Sequence, residues 1–198
     1  MEGEAKSADG VSTGSTPEPM VTASPKLDLT AFVPVGEKRF RERFGVGWEQ
    51  FDIGQKFRHR PGLTLSQQDS RDECLDTLNA QMLHFDQKFA GHTEWKKCLM
   101  DSTLTAKVVL GMTWKTFARR ERIIGFDEIT LNKPVFGGDT LYAESEILGK
   151  AEDPTDASRG TLKVCTVGVN QTGEMVAKLV YDLVFVRGAE AELGRVKY

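Results

Sequence analysis

Large apolar residues are scarce at the start of the chain, where Ser, Thr, Gly, Ala and Pro dominate and little apolar surface is on offer to offset the entropy of ordering. A disordered tail over residues 1–34 is expected. Phe40, Phe44, Val46, Trp48, Phe51 and Ile53 bring the first aromatic density, so the folded domain should begin between about 35 and 48 and continue to residue 188, with a second tail over 189–198. Leu63 to Leu65 read as extended. Ser66, with Asp69 three residues on, forms a capping pattern that predicts a helix through about Leu78, with Cys74, Leu75 and Leu78 as its apolar face. Asp86 caps a further turn holding Phe89. Asp101 and Ser102 open the strongest helical stretch, in which Leu104, Val108, Leu110, Met112 and Phe117 spread over much of the circumference. A helix apolar on so many sides has to be wrapped by other structure.

Four segments with strand chemistry follow, at 123–131, 139–149, 161–169 and 174–186. Gln171-Thr172-Gly173 predicts a hairpin between the last two, with Gly173 free to take positive φ. The final segment is apolar on both faces, so one face can hold the helix while the other needs a partner. The pattern gives an α+β chain in which a long antiparallel sheet curls round one buried helix, and a homodimer is expected. No internal repeat is visible.

Composition narrows the function classes. A net charge of -3 and a pI near 5.7 leave no basic excess to recruit nucleic acid or an anionic membrane. No apolar run approaches the ~20 residues that span a bilayer, and the N-terminus, Met1-Glu2-Gly3-Glu4, has no apolar core or Arg-rich character, which points to the cytoplasm. Three widely spaced cysteines, Cys74, Cys98 and Cys165, suggest neither a disulfide framework nor a zinc knuckle. The three histidines, His59, His84 and His92, are not grouped with carboxylates, and no metal or other cofactor is expected.

Trp48 to Gln55 with His59-Arg60-Pro61-Gly62, Asn79-Ala80-Gln81-Met82-Leu83-His84-Phe85-Asp86, and Pro134 to Leu141 carry a resemblance to the MaoC-like (R)-specific enoyl-CoA hydratases, a hot-dog-fold family. The resemblance covers roughly Phe40 to Arg187. The first stretch looks like the family's opening strand, the second like its hydratase motif D-x-N-P-[LI]-H, and the third like its turn into the second half of the sheet. Where well-studied members carry an Asp five residues before the His, this chain has Asn79; the following Asn and Pro are Gln81 and Met82. The pattern N-x-[NQ]-x-[IL]-H resembles the branch of 2-methylfumaryl-CoA (mesaconyl-CoA) and related dicarboxyl-CoA hydratases. The resemblance therefore implies a single hot-dog domain and a hydro-lyase acting on an enoyl- or 3-hydroxyacyl thioester, carried by CoA or an acyl carrier protein. A dimeric or higher assembly is expected, with the acyl site at the subunit seam, because one small hot-dog unit has too little depth to enclose a long thioester arm.

Adding water to an enoyl thioester requires a base for the water, an acid for the α-carbon, and donors for the charge that develops on the thioester oxygen. His84 suits the first two roles, since an ordinary imidazole exchanges protons near pH 6.5. Asn79 cannot exchange a proton and can only orient, with Gln81, the attacking water. By resemblance the Ser102 N–H, at a helix N-terminus, takes the place of the family's oxyanion donor, and Asp101 caps that helix. A second carboxylate on the substrate would stand in for the missing Asp.

Plainer readings stand beside these. His84 would serve as a satisfied interior His in a chain without the motif, Asn79 as a helix terminator, and Asp101 and Ser102 as an ordinary cap. Gln81 more simply orders its loop, and His59, before Pro61-Gly62, fits a turn or strand end. Arg119-Arg120-Glu121-Arg122 reads as a solvated helix end in preference to a phosphate clamp. Two other functions remain open: a hot-dog thioesterase, which would release free thiol, and an inactive acyl-CoA or acyl-carrier binding protein, whose binding would survive His84→Ala.

Overall fold

The computed structural model describes residues 31–188, so most of the expected N-terminal tail and all of the C-terminal one lie outside the described residues. The chain is already paired at Phe32. Strand β1 (Phe32–Gly36) and strand β2 (Arg39–Glu42) form an antiparallel hairpin separate from the main sheet. Trp48–Gln50 is a 3-10 turn, so of the segment expected to open the sheet only the His59-Arg60-Pro61-Gly62 part lies in a strand, β3 (Lys56–Thr64).

Helix α1 (Gln67–Thr77) starts where the capping pattern places it. The Ser66 hydroxyl accepts from the Asp69 N–H, and the Asp69 carboxylate accepts from the Ser66 N–H. After a short helix α2 (Gln87–His92) comes the central helix α3 (Ser102–Gly111), which is shorter than the apolar run suggested. Phe117 lies beyond its end and reaches the core from the following turns, fully buried.

Strands β4 (Arg120–Leu131), β5 (Thr140–Glu152), β6 (Arg159–Val169) and β7 (Met175–Val186) complete a five-stranded antiparallel sheet in the order β3-β5-β6-β7-β4. The β6–β7 hairpin turns on Gly173 at φ 82, as its residues predict. Helix α3 lies against one face of the sheet, where Leu104 and Val109 join Leu162, Val164, Leu179, Leu183 and Phe185 in the core. The approach is closest at Gly168, whose missing Cβ would stand 2.4 Å from a Val109 methyl. Only glycine lets β6 and the helix meet there.

Beneath the last turns of that face lies a buried polar chain. The His59 ring bonds the Ser145 hydroxyl at 2.8 Å and the Thr116 hydroxyl at 3.2 Å; Ser145 bonds Thr166 at 2.6 Å, and Thr166 bonds the Tyr181 hydroxyl at 2.8 Å. His59 therefore sits buried within β3, neither at a turn nor at a strand end. Burial pushes its pKa down to about 4, with Glu144 opposing and Arg60 adding to the shift.

The arginine run is not a helix end either, because α3 stops at Gly111. Arg119 Nε donates to the Phe44 carbonyl, Arg120 donates to the Phe117 carbonyl and stacks 4.2 Å from the Trp114 ring, and Glu121 pairs with Arg122 and Arg159. Within the described residues no helix is long and apolar enough to cross a membrane.

Candidate active site

The site forms where the end of α1, the following turn and the start of α3 converge. Leu78 closes α1 in the left-handed conformation, φ 57, so the terminator is the leucine and not Asn79. The Asn79 N–H then returns to the Cys74 carbonyl at 2.9 Å. This hooks the chain back and aims the Asn79 side chain inward, where Nδ2 donates to Asp101 Oδ2 at 2.6 Å and Oδ1 accepts the Gln81 N–H at 3.0 Å. Gln81 itself is exposed, and its links to the motif are through the backbone: this donation, and its carbonyl, which accepts the His84 N–H at 3.1 Å.

Met82–His84 forms a 3-10 turn that leaves His84 half-buried. His84 Nδ1 lies 3.3 Å from the Leu99 carbonyl. A carbonyl only accepts, so Nδ1 carries the proton in this contact and Nε2 is left as the basic nitrogen. Gln67 Nε2 donates to the His84 carbonyl at 2.7 Å and fixes the turn from the α1 side.

His84 and Ser102 line one cleft of about 240 Å³, together with Trp95, Thr105, Asn132 and Lys133. Ser102 is exposed and is the first residue of α3, so its N–H has no carbonyl within the helix to meet. Asp101, 1% exposed, caps the helix through the Thr103 N–H and hydroxyl, both at 2.7 Å. It therefore faces Asn79 and Thr103 from within, and is not itself among the residues lining the cleft.

Asn79 lines a second cleft of about 540 Å³ with Arg71, Cys74, Leu75, Leu78, Ala80 and Phe85. Leu75 and Leu78, expected as a core face, are instead 74% and 88% exposed at its rim. The Arg71 side chain forms no hydrogen bond or ion pair with any described residue. The one trace of Arg71 in the sequence is its 71-75-78 spacing with the two leucines, which marks one face of α1. Ser70, Gln67 and the Leu99 carbonyl hold His84 and Asp101 by contacts that no side-chain pattern signals.

Burial pushes the Cys74 thiol up to about 11, with the Asp101 carboxylate adding to the shift, and burial raises Cys98 as well, so both stay neutral. Among the described residues no group of three or more His, Cys, Asp or Glu side chains is placed to hold a metal ion.

Residues 49–170 match the family described as MaoC like domain. The chain is 34% identical over 111 residues to a mesaconyl-CoA hydratase of Cereibacter sphaeroides, covering 56% of this chain and 28% of the relative. It is 24% identical over 120 residues to a beta-methylmalyl-CoA dehydratase of Chloroflexus aurantiacus, covering 61% and 34%. The chain thus spans about a third or less of the length of these curated relatives. Among solved structures, a Mycobacterium tuberculosis protein with a double hotdog fold superimposes with a TM-score of 0.66 at 20% identity, over 73% of this chain and 45% of that one. The resemblance to the MaoC-like family is thereby confirmed, and with the family match spanning more than half of its length, the chain belongs to the MaoC-like domain family, its sheet and central helix forming a hot-dog fold.

Proposed function

We propose that the protein is a hydro-lyase that adds water to, or removes it from, an enoyl- or 3-hydroxyacyl thioester of CoA or a carrier protein. The observation that carries this reading is the pairing in one cleft of a histidine whose Nδ1 is engaged by a carbonyl with the open N-terminus of the central helix. In hydration, His84 Nε2 takes a proton from water as the oxygen bonds to the β-carbon. The electron pair of the double bond shifts to join the α-carbon to the carbonyl carbon, and the carbonyl pair moves onto the thioester oxygen, where the Ser102 N–H and the helix dipole stabilise the charge. The same imidazolium then returns a proton to the α-carbon. Asn79 orients the water, and Gln81 holds the Asn79 side chain through its backbone N–H. Dehydration is the reverse. The names of the two curated relatives support this class.

The distal end of the acyl group is assigned to the second cleft, whose leucines and Phe85 suit a branched chain and whose Arg71 suits a distal carboxylate. A second copy of the chain is the natural cover for the exposed Leu75 and Leu78, and for Ile124, Phe126 and Ile129 on edge strand β4, so that the acyl site lies at a dimer seam. Three free thiols agree with a cytoplasmic setting.

The test is a panel of enoyl- and hydroxyacyl-CoA thioesters, with and without a second carboxylate, followed by mass spectrometry for gain or loss of one water. Wild type should transfer water and His84→Ala should not. Absence of water transfer on every member would refute the reading, and release of free thiol would favour a thioesterase.

A further inference from the structure

The hydratase reading leaves His84 without an ionisable helper, since Asn79 has no proton to exchange. The fold brings one carboxylate to that gap, that of Asp101. Capping α3 occupies only Oδ1, through Thr103. Oδ2 accepts from Asn79 Nδ2 at 2.6 Å and from the Cys74 thiol at 3.6 Å. Because a carboxylate only accepts and the Gln81 N–H only donates, the Asn79 amide has one satisfied orientation; flipping it would set oxygen against oxygen and N–H against N–H.

A second route runs through the backbone. The Asp101 N–H donates to the Ser70 hydroxyl at 2.9 Å, that hydroxyl donates to the Leu99 carbonyl at 3.4 Å, and the same carbonyl receives His84 Nδ1. Ser70 is fully buried. Asp101 is thus tied to both ends of the Asn79–His84 turn.

We propose that Asp101 is the positioning carboxylate of the reaction: it locks the Asn79 amide and supplies the negative charge that stabilises the His84 imidazolium formed when water is deprotonated. The inference rests on the hydratase reading of this site. Burial alone would raise the Asp101 carboxyl, but the Thr103 and Asn79 hydrogen bonds and the neighbouring His84 together hold it below the usual carboxylate range, so it is ionised at neutral pH. Of the other charged groups around the pair, all but Arg71 are already engaged. Glu73 on α1 touches Thr103 and is paired with Lys107 of α3; Lys133 at the cleft is paired with Glu174; Asp86 caps α2; Arg71 lines the second cleft.

The experiment compares wild type, Asp101→Asn, Asn79→Asp and the exchanged double variant Asn79→Asp/Asp101→Asn. Each is confirmed folded by near-UV circular dichroism, assayed for kcat and KM, and titrated at the His84 imidazole by NMR without substrate. Asparagine caps helices about as well as aspartate, so Asp101→Asn keeps α3 while removing the charge and turning a donor toward Asn79. Its kcat should fall roughly tenfold to hundredfold with little change in KM, and its His84 titration should move to lower pH. Asn79→Asp alone sets two carboxylates in contact, which forces a proton onto the pair, and it should also be slow. The exchanged variant restores one carboxylate facing one amide, and should recover most of the rate and of the titration.

An unmoved His84 titration in Asp101→Asn, or an exchanged variant as slow as Asp101→Asn, overturns the proposal. If wild type transfers no water on any thioester, the hydratase reading fails on its own, and the substrate-free titration still decides whether Asp101 acts on His84.

Discussion

Lowering the pH from 7 to 5 should remove about 2 kcal/mol of stability through His59 alone. The ring is 4% exposed on β3, held between the Ser145 and Thr116 hydroxyls, and burial lowers its pKa to about 4. In the unfolded chain the same side chain takes up its proton near pH 6.5. The contribution is therefore complete above pH 6.5, falls as the unfolded state protonates first, and levels off below about 4, where the folded state protonates too. At pH 5 the unfolded histidine lies about one and a half units below its midpoint while the folded one is still mostly neutral. At ~1.36 kcal/mol per unit this is about 2 kcal/mol, or roughly 4–8 °C in Tm for a domain of this size. Urea unfolding of wild type and His59→Gln at both pH values isolates the effect from the carboxylates, which titrate alike in the two proteins. Wild type should lose about 2 kcal/mol more than the variant. Equal losses would show that His59 is not held neutral by the fold.

Other expectations follow from single contacts. Gly168→Ala drives a methyl to 2.4 Å from Val109 and should destabilise by about 1–3 kcal/mol in thermal melts, with much of the loss recovered in the Val109→Ala background. Ser66→Ala removes half of the reciprocal cap of α1 and should lower stability by about 1 kcal/mol in urea. Arg71→Gln should reduce kcat/KM roughly tenfold to hundredfold for thioesters bearing a distal carboxylate and leave monocarboxylic ones little changed; equal losses on both would remove Arg71 from substrate recognition.

The elements that the sequence placed best are those with local causes. The Ser66–Asp69 cap, the Asp86 cap and the Gly173 hairpin each depend on residues within four positions, and each forms as expected. Apolar periodicity was less informative where a surface faces a cleft. Leu75 and Leu78 carry a core-like spacing yet stand exposed, because a cleft wall and a core wall require the same side chains. The apolar run of the central helix continues past Gly111 to Phe117, although the chain has by then turned. The motif brought His84, Asn79 and Ser102 to light, but the bond between Asn79 and Asp101 spans 22 positions and leaves no periodic trace. His59 went the same way: its hydroxyl partners lie 57 and 86 residues away.

Leu78 combines two features that work against the folded monomer. A leucine in the left-handed region carries a backbone penalty of about 1 kcal/mol that a glycine would avoid, and this side chain is 88% in contact with solvent. Folding of the single chain gains nothing from it, so its worth has to be collected elsewhere, from an acyl chain in the adjoining cleft or from a second subunit laid over it. The end of α1 is in this sense a place where the molecule is kept less stable than its backbone would allow, and the turn bearing Asn79 and His84 begins at the next residue.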